Sequence, residues 1–189
     1  EEVIIGQARQ AGNGPNPARQ IGVRSGVPFE APAYTVNQAC GSGLKSIILG
    51  YQEIMLENAD VIVAGGIESM SRVPYLVENA RWGLRLGHQE FVDGMYRDGF
   101  MCPLADMVMG KTAEKLADIY KISRVEQDEF ALRSQHCAKA AGESGRFTDE
   151  IVPVNVKKKR GETTVLEVDE HIRLDASIQG MARLKPVFS

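Results

Sequence analysis

The hydrophobic positions of the first 70 residues fall into short continuous runs that are separated by longer amphipathic stretches. Each run is three or four residues long and rich in β-branched side chains, which is typical of a strand buried on both faces. The runs are Val3 to Ile5, Tyr34 to Val36 and Val61 to Ala64. Strands of this kind that alternate with helices predict an α/β architecture with a mainly parallel sheet covered on both faces.

Two helices are predicted between these strands. Asn16 suits the cap of the first helix, Pro17 its first position and Gly26 its end. The second helix is predicted from Ser42 to Asn58, because apolar residues recur along one face at intervals of three and four. The residues of this apolar face are Leu44, Ile47, Ile48, Tyr51 and Met55.

Beyond the third strand the pattern changes. Residues 73 to 108 carry no sustained period and predict an irregular, loop-rich region. Two helices follow, one over roughly Gly110 to Tyr120 and one from a capping box at Ser123 to about Gly142. Alternating valines predict a strand at a sheet edge from Val152 to Val156, with a return strand over Val165 to Val168.

Composition and charge narrow the classes of function. The chain is 43% apolar and 25% charged, the balance of a globular protein, and its formal net charge of −3 argues against a nucleic-acid partner. No window reaches the roughly 18 apolar residues that a membrane-spanning helix needs. The basic run from Lys157 to Arg160 is interpreted as a solvated turn at a hairpin tip. Three cysteines are too few for a disulfide scaffold and indicate a reducing, cytoplasmic location.

The densest chemical signal surrounds Cys40, where a strand passes through a tight turn into a helix. At a helix N-terminus, unpaired N–H groups and the positive end of the helix dipole favour a thiolate, which is the nucleophilic form of cysteine. Gly41 and Gly43 would allow the backbone to approach a bound acyl compound closely. From this pattern alone, Cys40 could equally be a small buried side chain in a glycine-rich turn, so both interpretations stay open.

The segment Asn37-Gln38-Ala39-Cys40-Gly41-Ser42-Gly43 resembles the nucleophile motif of thiolases, the coenzyme-A-dependent enzymes that make or cleave 3-ketoacyl thioesters. Further segments along the whole chain resemble thiolase segments in the order that the family has them. These are Asn16 to Gln20, Gly65 to Ser71, Glu126 to Ala131, Gly145 to Phe147, Glu150 to Val154 and Leu184 to Phe188. The resemblance implies a thiolase-like α/β fold, a layered mixed sheet with covering helices plus an α+β loop domain.

The resemblance also implies a division into domains. Residues 1–72 would belong to the N-terminal core domain with the nucleophile turn, and residues 73–189 to the loop domain for coenzyme A binding and oligomer contacts. The Gly-His-Pro histidine, the Cys-x-Gly cysteine and the Asn-Glu-Ala-type motif of the family's C-terminal half do not occur here. We therefore expect a partial copy that lacks the C-terminal core domain and is inactive alone, and a homodimer or homotetramer for the full-length protein.

For the reaction, the resemblance implies an acetyl-CoA C-acetyltransferase in which Cys40 carries the acyl group. Two acetyl-CoA molecules would give acetoacetyl-CoA and free coenzyme A, or the reverse thiolysis would occur. The coenzyme A thioester is then a substrate, and no cofactor is expected. A metal site is not expected either, because no Cys/His cluster has ligand spacing.

The residues that the resemblance assigns to the substrate are spread over the second half of the chain. Arg173 matches an arginine that packs on the adenine and faces phosphate, a task for which a planar cation is suited. Met109 matches a loop of the acyl pocket, Gly180 a position where only the backbone could touch coenzyme A, and Phe188 a position near the pantetheine tunnel.

Two alternatives stay open at this stage. Val108 stands where the biosynthetic thiolases often have His, so a degradative 3-ketoacyl-CoA thiolase with longer acyl chains is the first alternative. The second is a thiolase-like domain that binds acyl-CoA without turnover, against which the intact turn at Cys40 argues.

Overall fold

The computed structural model of the chain describes residues 1–158 and 161–188. It divides into two compact units, Glu1–Met109 and Gly110–Ser189. Two residues of the basic run interpreted as a solvated turn, Lys159 and Arg160, lie outside the described residues.

A parallel sheet of three strands forms the centre of the first unit. The strands are β1 (Glu2–Gly6), β2 (Ala33–Val36) and β3 (Ile62–Gly66), and β1 lies between the other two. In this register Ile4 is opposite Tyr34 on one side and Ala64 on the other. The predicted parallel sheet and its three strands are confirmed.

Helix α1 (Pro17–Arg24) packs on β1 and β2. As the sequence predicts, Asn16 caps it, because the Asn16 side chain accepts a hydrogen bond from the Arg19 N–H at 3.2 Å. Ala18 is fully buried against Val3 and Ile5, and these three residues form the core of this face of the sheet. As the sequence predicts, Gly26 ends the helix: it follows the C-cap Ser25 with a φ of 86°, and its N–H donates to the Val23 carbonyl at 3.2 Å.

Helix α2 (Ser42–Met55) packs on β1 and β3, but with a different face from the one that the sequence pattern indicates. Its buried residues are small: Ser42, Ser46 and Gly50. The predicted apolar face is exposed instead, with Leu44 at 65% and Tyr51 at 63% exposure. The small side chains on the packed face let the helix backbone lie directly on the sheet.

Three glycines bring the start of α2 against the carboxyl ends of the strands. A Cβ atom on Gly6 would overlap the Ser42 carbonyl group and lie 2.6 Å from the Gly43 nitrogen. A Cβ atom on Gly66 would lie 3.2 Å from the Gly43 α-carbon. The buried Ser46 hydroxyl adds a hydrogen bond to the Gly65 carbonyl oxygen at 2.6 Å. The position of the helix N-terminus is thus determined by backbone-to-backbone contact.

Residues 73–108 are irregular, as predicted, and contain only strands of two residues and short helical turns. The strands pair as two antiparallel ladders: β4 (Tyr75–Leu76) with β5 (Val92–Asp93), and β6 (Met101–Cys102) with β7 (Met107–Val108). The Arg9 guanidinium group lies 5.2 Å from the centre of the Phe100 ring. Such contacts join this region to the first unit, so the units divide at 109/110 and not at residue 72. The predicted core and loop domains, 1–72 and 73–189, stay a prediction.

The second unit is built from helices and one hairpin. The helices are α3 (Met109–Tyr120), which begins at the end of the first unit, α4 (Arg124–Glu143) and α5 (Ile178–Ala182). The predicted capping box is confirmed, since Ser123 and Glu126 each satisfy the other's backbone N–H at the start of α4. The hairpin pairs β8 (Val154–Lys157) with β9 (Thr163–Leu166).

Both hairpin strands are offset from the ranges that the sequence predicts. The first strand begins at Val154 and not at Val152, because the intervening Pro153 has no N–H to donate to a ladder. The second strand begins at Thr163, two residues before the predicted start at Val165. The offset follows from the register, in which Val154 pairs with Leu166.

The contact at Gly6 generates a prediction about stability. We expect Gly6→Ala to lower the free energy of unfolding by about 3 kcal/mol, since the added methyl group would push helix backbone away from the sheet. Gly65→Ala is the matched control, because a Cβ atom there would meet no atom within 4 Å, and its effect should stay below about 1 kcal/mol. Urea denaturation of both variants measures this, and equal losses would contradict the close contact.

A second prediction concerns pH. Burial, and then the charge of Glu53, raise the pKa of Glu2 above its ordinary value of 4.5. The folded state therefore holds a proton on Glu2 more tightly than the unfolded state does, so this contribution to stability is present at low pH and is lost as the pH rises through the raised pKa.

We expect the free energy of unfolding of Glu2→Gln to decline less between about pH 4 and pH 7 than that of the parent. Glu57→Gln, at an exposed glutamate beyond the end of α2, serves as the control and should follow the parent. Urea denaturation across this pH range gives the comparison. If the free energies of unfolding of the parent and of Glu2→Gln decline in parallel, Glu2 is not the cause of the pH dependence.

Candidate active site

The turn between β2 and α2 carries Cys40. Ala39 has a φ of 48°, in the left-handed region that a residue with a side chain rarely adopts. The turn closes with two backbone hydrogen bonds, from the Gly41 N–H to the Gln38 carbonyl at 3.0 Å and from the Ser42 N–H to the Ala39 carbonyl at 3.1 Å. Gly41 is the N-cap of α2, so Cys40 lies beside the helix N-terminus, as the sequence predicts.

Two side chains form hydrogen bonds with the backbone of this turn. The Asn37 side-chain oxygen accepts a hydrogen bond from the Ala39 N–H at 2.9 Å. The buried Ser42 hydroxyl donates to the Ala39 carbonyl at 2.6 Å and accepts from the Gln38 N–H at 2.9 Å. Both polar backbone groups of Ala39 are thereby engaged by side chains, and these bonds support a left-handed conformation that is otherwise unfavourable.

The same edge of the sheet joins the turn to the segment that follows β1. The Asn37 side-chain N–H donates to the Ala8 carbonyl at 3.1 Å. From beyond β3, the two carboxylate oxygens of Glu68 accept hydrogen bonds from the Ala8 and Arg9 N–H groups at 3.0 and 2.9 Å. Carboxyl ends of parallel strands meet at one edge of a sheet, and here side chains link all three ends.

Sequence reasoning assigned no role to Asn37 or Glu68. Both residues lie in segments that resemble the thiolase family, but they were not singled out as site residues. The usable signal is their position, because each follows directly or closely on a strand that ends at the same edge. The backbone groups to which Asn37 and Glu68 bind depend on the geometry of the turn. A pattern of residue types does not contain that geometry.

The thiol of Cys40 is exposed. This contradicts the alternative interpretation of Cys40 as a small buried side chain. A Cβ atom on the neighbouring Gly41 would approach only the Gln38 carbonyl oxygen, at 3.4 Å. The arrangement suits nucleophilic attack on an external carbonyl group, and the catalytic role of Cys40 stays a prediction.

The other cysteines lie in different surroundings. Cys102 is half-buried in β6. Cys137, on α4, is exposed. Helix α4 buries none of its residues, and Cys137 lies with His136 and Ile178 along an open groove between α4 and α5.

In the second unit, the residues assigned to coenzyme A contact different helices. The exposed Arg173 is joined to α4 by its own N–H, which donates to the Gln135 side chain at 2.7 Å. The Phe188 ring lies against the α-carbon of Gly110 on α3, where a Cβ atom would overlap it. Gly180 lies in α5, and its N–H donates to the Ser177 hydroxyl at 3.2 Å. Arg173 and Phe188 are therefore held from separate helices.

An arginine on α4 secures the segment that carries Gly180 and Phe188. The Arg124 guanidinium group donates to the Met181 carbonyl at 2.7 Å and to the Leu184 carbonyl at 3.0 Å. Its Nε donates to the Asp128 carboxylate at 2.8 Å, which fixes the guanidinium plane. Met109, assigned to the acyl pocket, is the first residue of α3 and immediately precedes Gly110.

Within residues 1–158 and 161–188, no three His, Cys, Asp or Glu side chains are grouped so that they could hold a metal ion. No helix in that part of the chain is long and apolar enough to cross a membrane.

Comparisons with known proteins converge on one family. A family model described as the thiolase N-terminal domain matches residues 1–189. A Staphylococcus aureus protein named "Probable acetyl-CoA acyltransferase" is 48% identical over 188 residues, and a Pseudomonas aeruginosa acetyl-CoA acetyltransferase is 49% identical over 188 residues. Each alignment covers 100% of this chain and 48% of the relative, so the chain spans about half the length of these curated relatives.

A solved structure gives the same result in three dimensions. The crystal structure of the Bacillus anthracis acetyl-CoA acetyltransferase matches this fold with a TM-score of 0.92 and 41% sequence identity. The match covers 100% of this chain and 47% of that chain.

Proposed function

This chain belongs to the thiolase family, which it matches through the family's N-terminal domain, and we propose on that premise that the whole protein transfers acyl groups through Cys40. The predicted thiolase-like α/β fold is confirmed by the match to a solved acetyl-CoA acetyltransferase. The observation that carries the proposal is the exposed Cys40 in a turn whose backbone is fastened by Asn37 and Ser42.

In the proposed first step, Cys40 attacks the thioester carbonyl carbon of acetyl-CoA. The Cys40 thiol first gives its proton to a base, a lone pair of the resulting thiolate forms the new C–S bond, and the carbonyl electron pair moves onto oxygen. When the carbonyl re-forms, the bond to the coenzyme A sulfur breaks, and coenzyme A leaves as a thiolate that takes up the proton held by the base. The transient negative charge forms beside the N-terminus of α2, where the positive end of the dipole stabilises it. The resemblance assigns the Cys40 N–H as one oxyanion donor.

In the proposed second step, a second acetyl-CoA loses a proton from its α-carbon, and the resulting carbanion attacks the acetyl group on Cys40. The products are acetoacetyl-CoA and the free Cys40 thiol, and the reverse sequence is thiolysis. The histidine and second cysteine that the family uses for proton transfer match no residue of this chain in their motif context. We propose that the part of the protein corresponding to the rest of the relatives' length supplies them.

The proposed substrate is an acyl-CoA, with Arg173 at the nucleotide, Gly180 and Phe188 along the pantetheine arm, and Met109 at the acyl group. The presence of Val108, where biosynthetic thiolases often have His, supports a second candidate function. This candidate is a degradative 3-ketoacyl-CoA thiolase for longer acyl chains. The assembly proposed for the whole protein is a homodimer or homotetramer. A cytoplasmic location is proposed because the three cysteines are unpaired, which suits a reducing compartment.

Acetylation of Cys40 tests the proposed function. We expect the full-length protein, mixed with acetyl-CoA and digested, to carry an acetyl group on the Cys40 peptide and none on those of Cys102 and Cys137. Cys40→Ser should abolish acetoacetyl-CoA thiolysis, because a serine hydroxyl is a far weaker nucleophile without its own activating base. Unmodified Cys40 with coenzyme A bound would instead identify a binding domain without turnover. Faster thiolysis of long-chain substrates would favour the degradative alternative.

The nucleotide contact proposed for Arg173 has its own test. We expect Arg173→Ala to raise the KM for acetyl-CoA by about ten- to a hundredfold, the loss typical of a charge-assisted contact. Turnover of a short thioester that lacks the nucleotide should change little. Arg146→Ala, at another exposed arginine of the same unit, is the control. An unchanged KM for acetyl-CoA would indicate that Arg173 is a solvated surface charge that does not bind the nucleotide.

A further inference from the structure

The hydrogen bonds at the carboxyl edge of the sheet point to two residues that act on Cys40 from a distance. We propose that Asn37 and Glu68 are positioning residues that hold the Cys40 turn in the geometry for acyl transfer. Neither residue contacts the thiol directly. The inference rests on the function proposed above and adds to it the side chains that determine where the nucleophile lies.

Asn37 holds the turn through both the oxygen and the nitrogen of its side-chain amide. Its oxygen accepts from the Ala39 N–H at 2.9 Å, one residue before Cys40, and its nitrogen donates to the Ala8 carbonyl at 3.1 Å. A carboxylate at this position would keep the acceptor and lose the donor, and it would place its charge against a carbonyl oxygen. Only an amide of this length serves the turn and the neighbouring segment together.

Glu68 holds the backbone of Ala8, to which the Asn37 side chain is hydrogen-bonded. Its carboxylate accepts the successive N–H groups of Ala8 and Arg9, at 3.0 and 2.9 Å. The backbone of Ala8 is therefore held on both sides, at its N–H by Glu68 and at its carbonyl by Asn37. The Arg9 side chain anchors the far end of the segment on the Phe100 ring. Movement of Ala8 would be transmitted through Asn37 to Ala39, which is already in an unfavourable conformation.

This arrangement predicts a specific kinetic signature. The residues assigned to coenzyme A other than Met109 lie in the second unit, whereas Asn37 and Glu68 act on the turn in the first. Displacing the nucleophile should therefore slow the acylation step and leave the acetyl-CoA concentration for half-saturation nearly unchanged. A misplaced reacting group of this kind can cost up to about a hundredfold in rate.

The test compares isosteric variants of the full-length protein. Asn37→Asp removes the donor to Ala8, and Glu68→Gln removes one of two acceptor oxygens. Asn58→Asp and Glu57→Gln are matched controls beyond the other end of α2, where the Asn58 side chain donates to Glu53 at 2.7 Å. The rate of Cys40 acetylation is measured in single turnovers over a range of acetyl-CoA concentrations, and the thermal midpoint of each variant is recorded.

We expect both site variants to lower the saturating rate of Cys40 acetylation about tenfold or more. The acetyl-CoA concentration that gives half of this rate should stay within about threefold of the parent value. The acetylation rates of the control variants should stay within about twofold of the parent rate. The double variant should lose little more than the slower single variant, since both act through Ala8. If Asn37→Asp does not fold, Glu68→Gln carries the test alone.

Three results would overturn the positioning role: site variants as fast as the controls, a change confined to half-saturation, or losses that multiply in the double variant. A parent protein whose Cys40 takes up no acetyl group would refute the proposed function itself. The two failures are thus distinguished by the parent alone.

Discussion

The contact between backbone and backbone at Gly6, Gly43 and Gly66 is the constraint on which the rest of the first unit depends. It places the first residues of α2 directly on the ends of β1 and β3. Because no side chain lies between them, the position of the helix N-terminus follows from the strand positions with little freedom. The turn with Cys40 is attached to that N-terminus, so the sheet positions one end of the turn.

How much the sequence predicts depends on the range over which the determining interaction acts. The strands, the Asn16 cap and the capping box at Ser123 are local, and all were predictable because a few neighbouring residue types suffice. The turn at Cys40 was also placed beside the helix start. The roles proposed for Asn37 and Glu68 rest on bonds to Ala8 across about 29 to 60 positions of chain, which no local pattern encodes.

Helix α2 shows that a periodic pattern can predict a helix without identifying the face that packs on the sheet. Its apolar residues recur as they do on a buried face, yet Ser42, Ser46 and Gly50 form the contact with the sheet. A hydrophobicity pattern measures the free energy of removing side chains from water, whereas contact with β1 and β3 selects for small volume. Where two backbones approach closely, volume decides the orientation of the helix.

The small-residue face of α2 also bears on how the chain folds during synthesis. Serine and glycine side chains have little rotational freedom to lose, so α2 can dock on the sheet without ordering large side chains. The apolar face that remains in water, with Leu44 and Tyr51, is then present as soon as the unit has formed. Transiently exposed surface of this kind makes a folding intermediate prone to aggregation and a substrate for chaperones. The same geometry that positions the thiol thus leaves an apolar face of α2 in contact with water.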